Sequence, residues 1–497
     1  MPHTAPALDI STLPVLCVDL DGTLVKSDTL HDSALAVARH HPAALLNLPG
    51  WLFQGKAALK RHLAATVKLD VAHLPYNRQL LQYLEQQHAT GRPIYLATAA
   101  DADTARRVAD HLGLFTGVLA SDGQLNLAGK NKLAAFRSQF GDNFSYIGNA
   151  TPDLTLLQNC KEPMVANPTP GLRSALRKAG VTPVHTFTES VSPIKAWFKA
   201  IRLHQWAKNV LIFLPLLLAH VWAPGLLAAA ALAFFSFCFC ASATYIVNDL
   251  LDLEADRQHP RKRRRPFASG DLSALSGVAV VFLFLAISLV LAEFVPHAIA
   301  TLSPELLYLI KPHYFLLWLG VYLVTTLAYS LRLKRSVLLD VIVLSGLYTI
   351  RIIAGSAASG IALSTWLGSF SIFFFLSLAL VKRFAELESL RKRGGVSAGG
   401  RGYHITDIEQ LRSFGSASGF ASVVVLTLYI SNLDAAQLYQ HTKRLWLLVP
   451  VLILWIMRLW LQASRGELNE DPVVYAITDR RSLLLGVVVI TIIFSAL

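Results

Sequence analysis

The sequence predicts an N-terminal α/β domain with a helical cap, joined to a C-terminal all-α integral membrane bundle of about nine transmembrane helices. Three observations carry this. Charged and apolar residues are mixed up to Pro193, whereas beyond Trp206 the chain becomes long apolar stretches separated by short basic loops. A short apolar run, Val15-Leu16-Cys17-Val18, feeds directly into paired acids and a glycine turn, Asp19-Leu20-Asp21-Gly22-Thr23. The 497 residues are 54% hydrophobic and 15% charged, too apolar for a purely soluble protein of two or three units. The change in composition divides the chain into residues 1–187, a connection at 188–204 and a membrane part at 205–497.

In the soluble part, Val15-Leu16-Cys17-Val18 reads as a buried parallel strand. Two acids at its end, followed by a glycine turn, suit a metal-bound phosphate site at the carboxyl edge of an α/β sheet. A second strand, Pro93–Ala97, ends in Thr98, and a third, Phe144–Ile147, ends in Gly148-Asn149-Ala150-Thr151-Pro152-Asp153. Lys130 and Lys132 precede a helix between them. Residues 28–90 form an insert expected to be a helical cap. Its Leu45–Phe53 stretch is apolar enough to be expected as covered core, with contact to a membrane surface as the alternative. Cys17, Cys160, Cys238 and Cys240 form no CxxC pair and no zinc-spaced cluster, so they read as small buried side chains. Met1–Pro14 lacks a basic segment followed by an apolar one, so no signal peptide is expected and the first domain is expected in the cytoplasm.

In the membrane part, expected spans lie near 207–222, 225–250, 272–293, 313–331, 337–358, 364–382, 415–432, 445–463 and 482–497. Alternate loops carry the cations, among them Arg261–Arg265, Arg332 with Lys334 and Arg335, Lys382 with Arg383, and Arg480 with Arg481. The positive-inside rule then puts the N-terminus inside and the C-terminus outside. The net charge of +13 is spent in these loops and not on a soluble face, which excludes a nucleic-acid binder.

The second span ends Asn248-Asp249-Leu250-Leu251-Asp252-Leu253-Glu254-Ala255-Asp256. On a helix, Asn248, Asp252 and Asp256 stand one above another with Asp249 beside them. Carboxylates crowded at a membrane boundary need cations, and oxygen donors suit Mg2+ shared with substrate phosphates. The run His259-Pro260-Arg261-Lys262-Arg263-Arg264-Arg265-Pro266 follows at once and could clamp a metal-bound diphosphate from the other side, besides fixing topology. Tyr329, Lys334, Asp340, Arg351 and Gly355 repeat the polar theme, Asp340 and Arg351 inside apolar sequence where each needs a partner.

Asn248-Asp249-x-x-Asp252-x-x-x-Asp256 resembles the first aspartate-rich motif of the UbiA prenyltransferase superfamily, and Tyr329-Ser330…Lys334…Asp340 resembles the second. Gln205-Trp206-x-Lys208-Asn209, His259-Pro260-x-Lys262-x-x-Arg265-Pro266, Arg351-x-x-Ala354-Gly355 and Asp471-Pro472-Val473-Val474…Asp479-Arg480 resemble the decaprenyl-phosphate phosphoribosyltransferase branch. The resemblance implies a polyprenyl phosphate acceptor and phosphoribosyl pyrophosphate as donor. It further implies that Asn248, Asp249, Asp252 and Asp256 hold Mg2+ and the donor diphosphate, with Asp249 and Asp252 catalytic. Lys208, Lys262, Arg265, Tyr329, Lys334, Asp340 and Arg351 would contact substrate.

Asp19-x-Asp21-Gly22-Thr23 resembles motif one of the haloacid dehalogenase superfamily, implying a Rossmann-like fold. By that resemblance Asp19 is the nucleophile, Asp21 the acid/base, Thr98 holds the phosphoryl group, Lys132 or Lys130 neutralises it, and Asp19, Asp21, Asn149 and Asp153 serve Mg2+. Asn149 departs from the usual Asp there, which removes a charge from the metal site. The two resemblances together imply phosphoribosyl transfer followed by dephosphorylation of the lipid product. An aromatic prenyltransferase with a regulatory hydrolase-like domain is the rival reading. A transporter is disfavoured because the acids and bases crowd one membrane face.

Overall fold

The computed structural model describes residues 13–122, 126–189, 191–311, 313–392, 394, 402–468 and 472–497. The chain forms two compact units, Met1–Ile201 with Tyr245–Val280, and Arg202–Thr244 with Val281–Leu497.

The first unit is built on a parallel six-stranded sheet of order β3-β2-β1-β4-β5-β6. Its strands are β1 (Val15–Val18), β2 (Ile94–Asp101), β3 (Gly117–Ser121), β4 (Phe144–Gly148), β5 (Pro163–Ala166) and β6 (His185–Phe187). Alternation along β1 sends Leu16 and Val18 to one face and Cys17 to the other. Both faces are covered, as a parallel sheet requires. Leu80 and Leu84 of one helix and Ala105 and Val108 of another cover the first face; Phe136, Leu156 and Leu172 cover the second. The second strand runs past its expected end. Pairing with β3 resumes at Asp101 after a register shift beyond Ala97, so Thr98 lies within the irregular stretch of β2.

After the first strand, α1 (Thr29–His40), α2 (Leu48–Phe53) and α3 (Lys56–Thr66) form the expected helical insert. The Asp28 carboxylate caps α1 by accepting from Leu30 N at 2.9 Å and His31 N at 3.3 Å. The Leu45–Phe53 stretch is not covered core. Phe53 is 92% and Leu46 83% exposed, because six-residue α2 folds back only on its own hairpin, where Trp51 stacks on His62 at 5.2 Å.

Tyr245–Val280 packs with the sheet domain in the same unit. The Arg257 guanidinium is buried against the Asp32 carboxylate at 2.8 Å and donates to Ser27 Oγ at 3.1 Å. Lys26 pairs with Asp271 at 3.0 Å. The acidic stretch is not one unbroken helix. The helix α4 (Pro224–Leu251) stops, Asp252 takes φ −94° and ψ 13°, and α5 (Leu253–Gln258) restarts. Backbone bonds from Asp252 N to Asn248 O (2.9 Å) and Asp256 N to Asp252 O (2.8 Å) bridge the break.

Seven helices among the described residues are long and apolar enough to cross a membrane. They are Pro224–Leu251, Ala274–Leu302, Tyr314–Leu331, Leu339–Ser359, Thr365–Arg391, Ile405–Ile430 and Thr442–Arg465. The stretch expected as a first span is a 3-10 path, Leu203–Phe213, followed by the short helix Leu214–Ala219. Pro215 there lacks an N–H and suits only the first turn of a new helix, so no continuous span forms. The last expected span is the 17-residue helix Arg480–Ala496, about 25 Å long.

Candidate functional sites

At the carboxyl end of β1, burial forces the acids to find partners. Lys132 Nζ donates to Asp19 Oδ1 at 2.7 Å and to the Tyr146 hydroxyl at 3.1 Å. Tyr146 donates in turn to Asp153 Oδ1 at 2.8 Å, while Asp153 Oδ2 accepts from Asn149 N (3.0 Å) and Ala150 N (2.9 Å). Asp153 therefore has both oxygens engaged. Thr98, fully buried, accepts from Ala100 N through Oγ1 at 3.0 Å. Asp21 Oδ1 accepts from Thr29 N at 2.8 Å. Burial pushes the Asp19 carboxyl up to about 6, with Lys132 opposing it, and the Asp21 carboxyl up to about 7, with Asp28 adding to the rise. A carboxyl poised near neutrality suits an acid/base, and an ion-paired one beside it suits a nucleophile.

Gly22, at φ +74°, is required here: a Cβ on it would lie 2.0 Å from Asn149 Nδ2. The side-chain amide of Asn149 is thus held against the Asp19–Asp21 turn. Asp19, Asp21 and Asn149 offer hard oxygen donors of the kind Mg2+ takes. Among the described residues no three His, Cys, Asp or Glu side chains converge as a metal-holding group. A residue outside the sequence expectations also reaches this site. Lys60 of α3 donates to Ala99 O at 2.6 Å and Asn126 Oδ1 at 3.2 Å. Burial lowers its ammonium pKa against the pull of Asp21, Asp28 and Asp19. Nothing local in the cap marks Lys60 among its neighbouring basic residues.

In the same unit, one nitrogen joins two motif acids. Arg265 Nη1 donates to Asp249 Oδ1 at 3.0 Å and to Asp256 Oδ2 at 2.6 Å, both acids being 2% exposed. Burial raises the Asp256 carboxyl and Arg265 opposes it. A single positive charge between two buried carboxylates occupies the position a divalent cation would neutralise, so the residues fit Mg2+. Arg39 approaches Asp252 at 3.4 Å. His259 Nδ1 accepts from the backbone N–H groups of Arg261 and Lys262, turning the basic run back after α5. Asn248 and Lys262 are half-buried beside these groups in sequence.

The second unit brings the remaining polar residues into two buried networks. Arg351 donates to Asn209 Oδ1 (2.7 Å), Leu347 O (2.5 Å) and the Tyr322 hydroxyl (3.0 Å), and stacks on Tyr322. Lys208 lies over the Tyr348 ring at 5.4 Å. The helix carrying Arg351 approaches the 3-10 segment backbone to backbone, because a Cβ on Gly355 would sit 2.1 Å from Ile212 O. In the other network Asp340, fully buried, accepts from Arg383 Nε at 2.6 Å and from the Tyr403 hydroxyl at 2.5 Å, and Arg383 donates to the Tyr329 hydroxyl at 2.9 Å. Lys334 lies half-buried on the 3-10 turn Leu333–Arg335. Asp471 lies outside the described residues, whereas Asp479 pairs with Arg458 at 2.6 Å.

The model of the UbiA prenyltransferase family matches residues 210–478, more than half of the chain. The chain belongs to the UbiA prenyltransferase family. It is 39% identical to the uncharacterized protein y4nM of Sinorhizobium fredii over 96% of this chain and 90% of that one. It is 36% identical to the nodulation protein NoeC of Azorhizobium caulinodans over 59% of this chain and 90% of that one. It is 37% identical to the decaprenyl-phosphate phosphoribosyltransferase of Mycobacterium tuberculosis over 39% of this chain and 61% of that one.

Family membership and the seven apolar helices among the described residues make this an integral membrane protein, and its N-terminal part carries a parallel α/β sheet. Within this UbiA-type chain, Arg383 and Tyr403 are the polar partners that sequence reasoning passed over. Arg383 adjoins Lys382 and in sequence resembles part of a basic loop, although it lies inside the helix Thr365–Arg391 at 2% exposure. Counting turns back from the loop toward the apolar run would have found it.

Proposed function

We infer that this chain is a bifunctional enzyme of lipid-linked sugar chemistry. It transfers 5-phosphoribose from phosphoribosyl pyrophosphate to a polyprenyl phosphate, and its N-terminal domain then removes the 5-phosphate to give polyprenyl-phosphoryl ribose. The observation that carries this is the shared unit: the acidic motif and basic run of Tyr245–Val280 fold together with the domain holding the Asp19–Lys132 pair. The likeness to proteins named decaprenyl-phosphate phosphoribosyltransferase supports the donor and acceptor classes. In this reading residues 1–187 are the hydrolase, 188–204 the connection and 205–497 the transferase, with the acidic motif and the N-terminus on the cytoplasmic side.

In the first step a phosphate oxygen of the lipid attacks the anomeric carbon, the carbon–oxygen bond to diphosphate breaks, and diphosphate leaves. Asn248, Asp249, Asp252 and Asp256 would hold Mg2+, which neutralises the departing diphosphate. Lys262 and Arg265 supply fixed positive charge to the same group, and Lys208, Tyr329, Lys334, Asp340 and Arg351 bind and orient the donor and the lipid phosphate. In the second step a carboxylate oxygen of Asp19 attacks the 5-phosphate. The ribose 5-oxygen leaves with a proton from Asp21, and water then cleaves the aspartyl-phosphate with Asp21 as base. Thr98 and Lys132 hold the phosphoryl oxygens, and Asn149 and Asp153 order the loop beside them.

Purified protein in lipid, given polyprenyl phosphate, Mg2+ and radiolabelled phosphoribosyl pyrophosphate, should form labelled polyprenyl-phosphoryl ribose. Asp19→Asn should accumulate the 5-phosphate form instead. Absence of any labelled lipid sinks the phosphoribosyl assignment, and prenylation of an aromatic acceptor by the same preparation would replace it.

A further inference from the structure

Between Asp32 and Asp70 the chain carries no acidic residue, while Arg39, Lys56, Lys60, Arg61 and Lys68 are all positive. Lys60 turns inward to Ala99 and Asn126 beside the phosphatase acids, whereas Lys56, Arg61 and Lys68 are exposed. The tip of this hairpin is apolar and faces water: Leu46 is 83%, Leu52 59% and Phe53 92% exposed. The only polar side chains from Ala43 to Gly55 are Asn47, Trp51 and Gln54, none of them charged.

An exposed aromatic and aliphatic tip bounded by cations has the composition of an element that lies in a membrane interface. Charge decides between the occupants. A second copy would set like-charged rims against each other, whereas an anionic leaflet complements both the tip and the rim. The domain is covalently continuous with membrane-spanning helices, so a bilayer is always within its reach.

We propose that the cap hairpin from Pro42 to Lys68 docks on an anionic phospholipid leaflet, with Leu46, Leu52 and Phe53 among the acyl chains and Lys56, Arg61 and Lys68 at the headgroups. The docked hairpin is fastened to the hydrolase site through Lys60. A lipid-linked phosphate monoester is then met at the membrane surface without leaving it. This last consequence rests on the function inferred above; the docking itself does not.

The test uses the full chain, one copy per nanodisc, with Cys160→Ser to leave only buried native thiols. Phe53→Cys carries an environment-sensitive fluorophore, and Gln139→Cys, exposed on the helix Lys130–Phe140, serves as reference. With phosphatidylglycerol present, the Phe53 label should shift to the blue and be quenched by nitroxide lipids. The quenching should fall severalfold in neutral lipid or with Lys56→Glu, Arg61→Glu and Lys68→Glu combined, and the Gln139 label should stay water-like. A Phe53 label that remains water-like in anionic nanodiscs overturns the proposal. So does a blue shift without lipid quenching that appears only when two copies share a disc, since that identifies the occupant as a second copy. Leu46→Ser with Leu52→Ser should slow phosphate release from the lipid product about tenfold through lost effective concentration. The same pair should leave hydrolysis of p-nitrophenyl phosphate unchanged. If wild type docks but hydrolyses neither substrate, the phosphatase reading fails while the docking stands.

Discussion

Arg265 meets two buried carboxylates with one nitrogen, so its loss removes an ion-pair partner from both at once. Leaving a buried charge unpartnered costs about 3–5 kcal/mol. Arg265→Gln should lower thermal stability in detergent and cut phosphoribosyl transfer by on the order of a hundredfold, chiefly through a raised KM for the donor. Arg265→Lys should recover part of that free energy, because an ammonium keeps the charge but carries it on a shorter side chain. Arg351 is a second residue whose geometry outweighs its charge. Its three bonds run to Asn209, Leu347 and Tyr322, and the ring of Tyr322 lies beneath it. Arg351→Lys keeps the charge and loses at least two directed bonds, a cost of about 2–4 kcal/mol. A thermal unfolding midpoint close to that of wild type would contradict the network.

At the scale of elements, close backbone approach and capping set the stakes. Gly355→Ala places a methyl 2.1 Å from the Ile212 carbonyl, which is backbone and cannot rotate away. The helix must move, at about 1–3 kcal/mol, and the Asn209–Arg351 bond should weaken with it, read as lower stability and weaker substrate binding. The terminal helix Arg480–Ala496 starts on Asp479, which accepts from Ser482 N at 2.8 Å and pairs with Arg458. These bonds, Arg458 first, hold the Asp479 carboxyl well below its ordinary range. A depressed folded pKa contributes stability above the unfolded value near 3.9 and loses it as pH falls toward the folded one. Asp479→Asn should therefore be less stable than wild type at pH 7, with the gap closing below about pH 4. Elements of this kind were partly legible in advance. The apolar runs at Val15–Val18 and Phe144–Ile147 became strands because their residues fit a sheet buried on both faces. The first expected span did not become a helix: hydropathy records only that Leu203–Ala219 is apolar, and Pro215 decides how its backbone turns. The break at Asp252 likewise leaves no mark in side-chain periodicity, since the bonds across it keep the helical spacing.

At the scale of the molecule, hydropathy divides the chain near 188–204, yet Tyr245–Val280 packs in the unit of the sheet domain. Both acidic motifs stand out in the sequence because each is contiguous, as Asp19–Thr23 and Asn248–Asp256 are. The packing between them does not, because Arg257 and Asp32 stand 225 residues apart and neither is unusual in its own surroundings. Their pairing carries a consequence that motif reading alone would miss. Arg257 is 6% and Asp32 2% exposed in their side chains, and Ser27 bonds both. Asp32→Asn keeps the shape and removes the charge, leaving the guanidinium buried against a neutral amide at a cost of about 3 kcal/mol. Because α5 carries Arg257 next to Asp256, that strain falls on the acidic motif. Asp32→Asn should thus depress phosphoribosyl transfer about tenfold or more while Asp19→Asn, in the same domain, leaves the transfer step intact. Parallel assays of the first product in the two variants separate the roles. Equal transfer in both would mean that the sheet domain is only tethered to the membrane part, and unequal transfer that its α1 helps to hold the acidic motif in place.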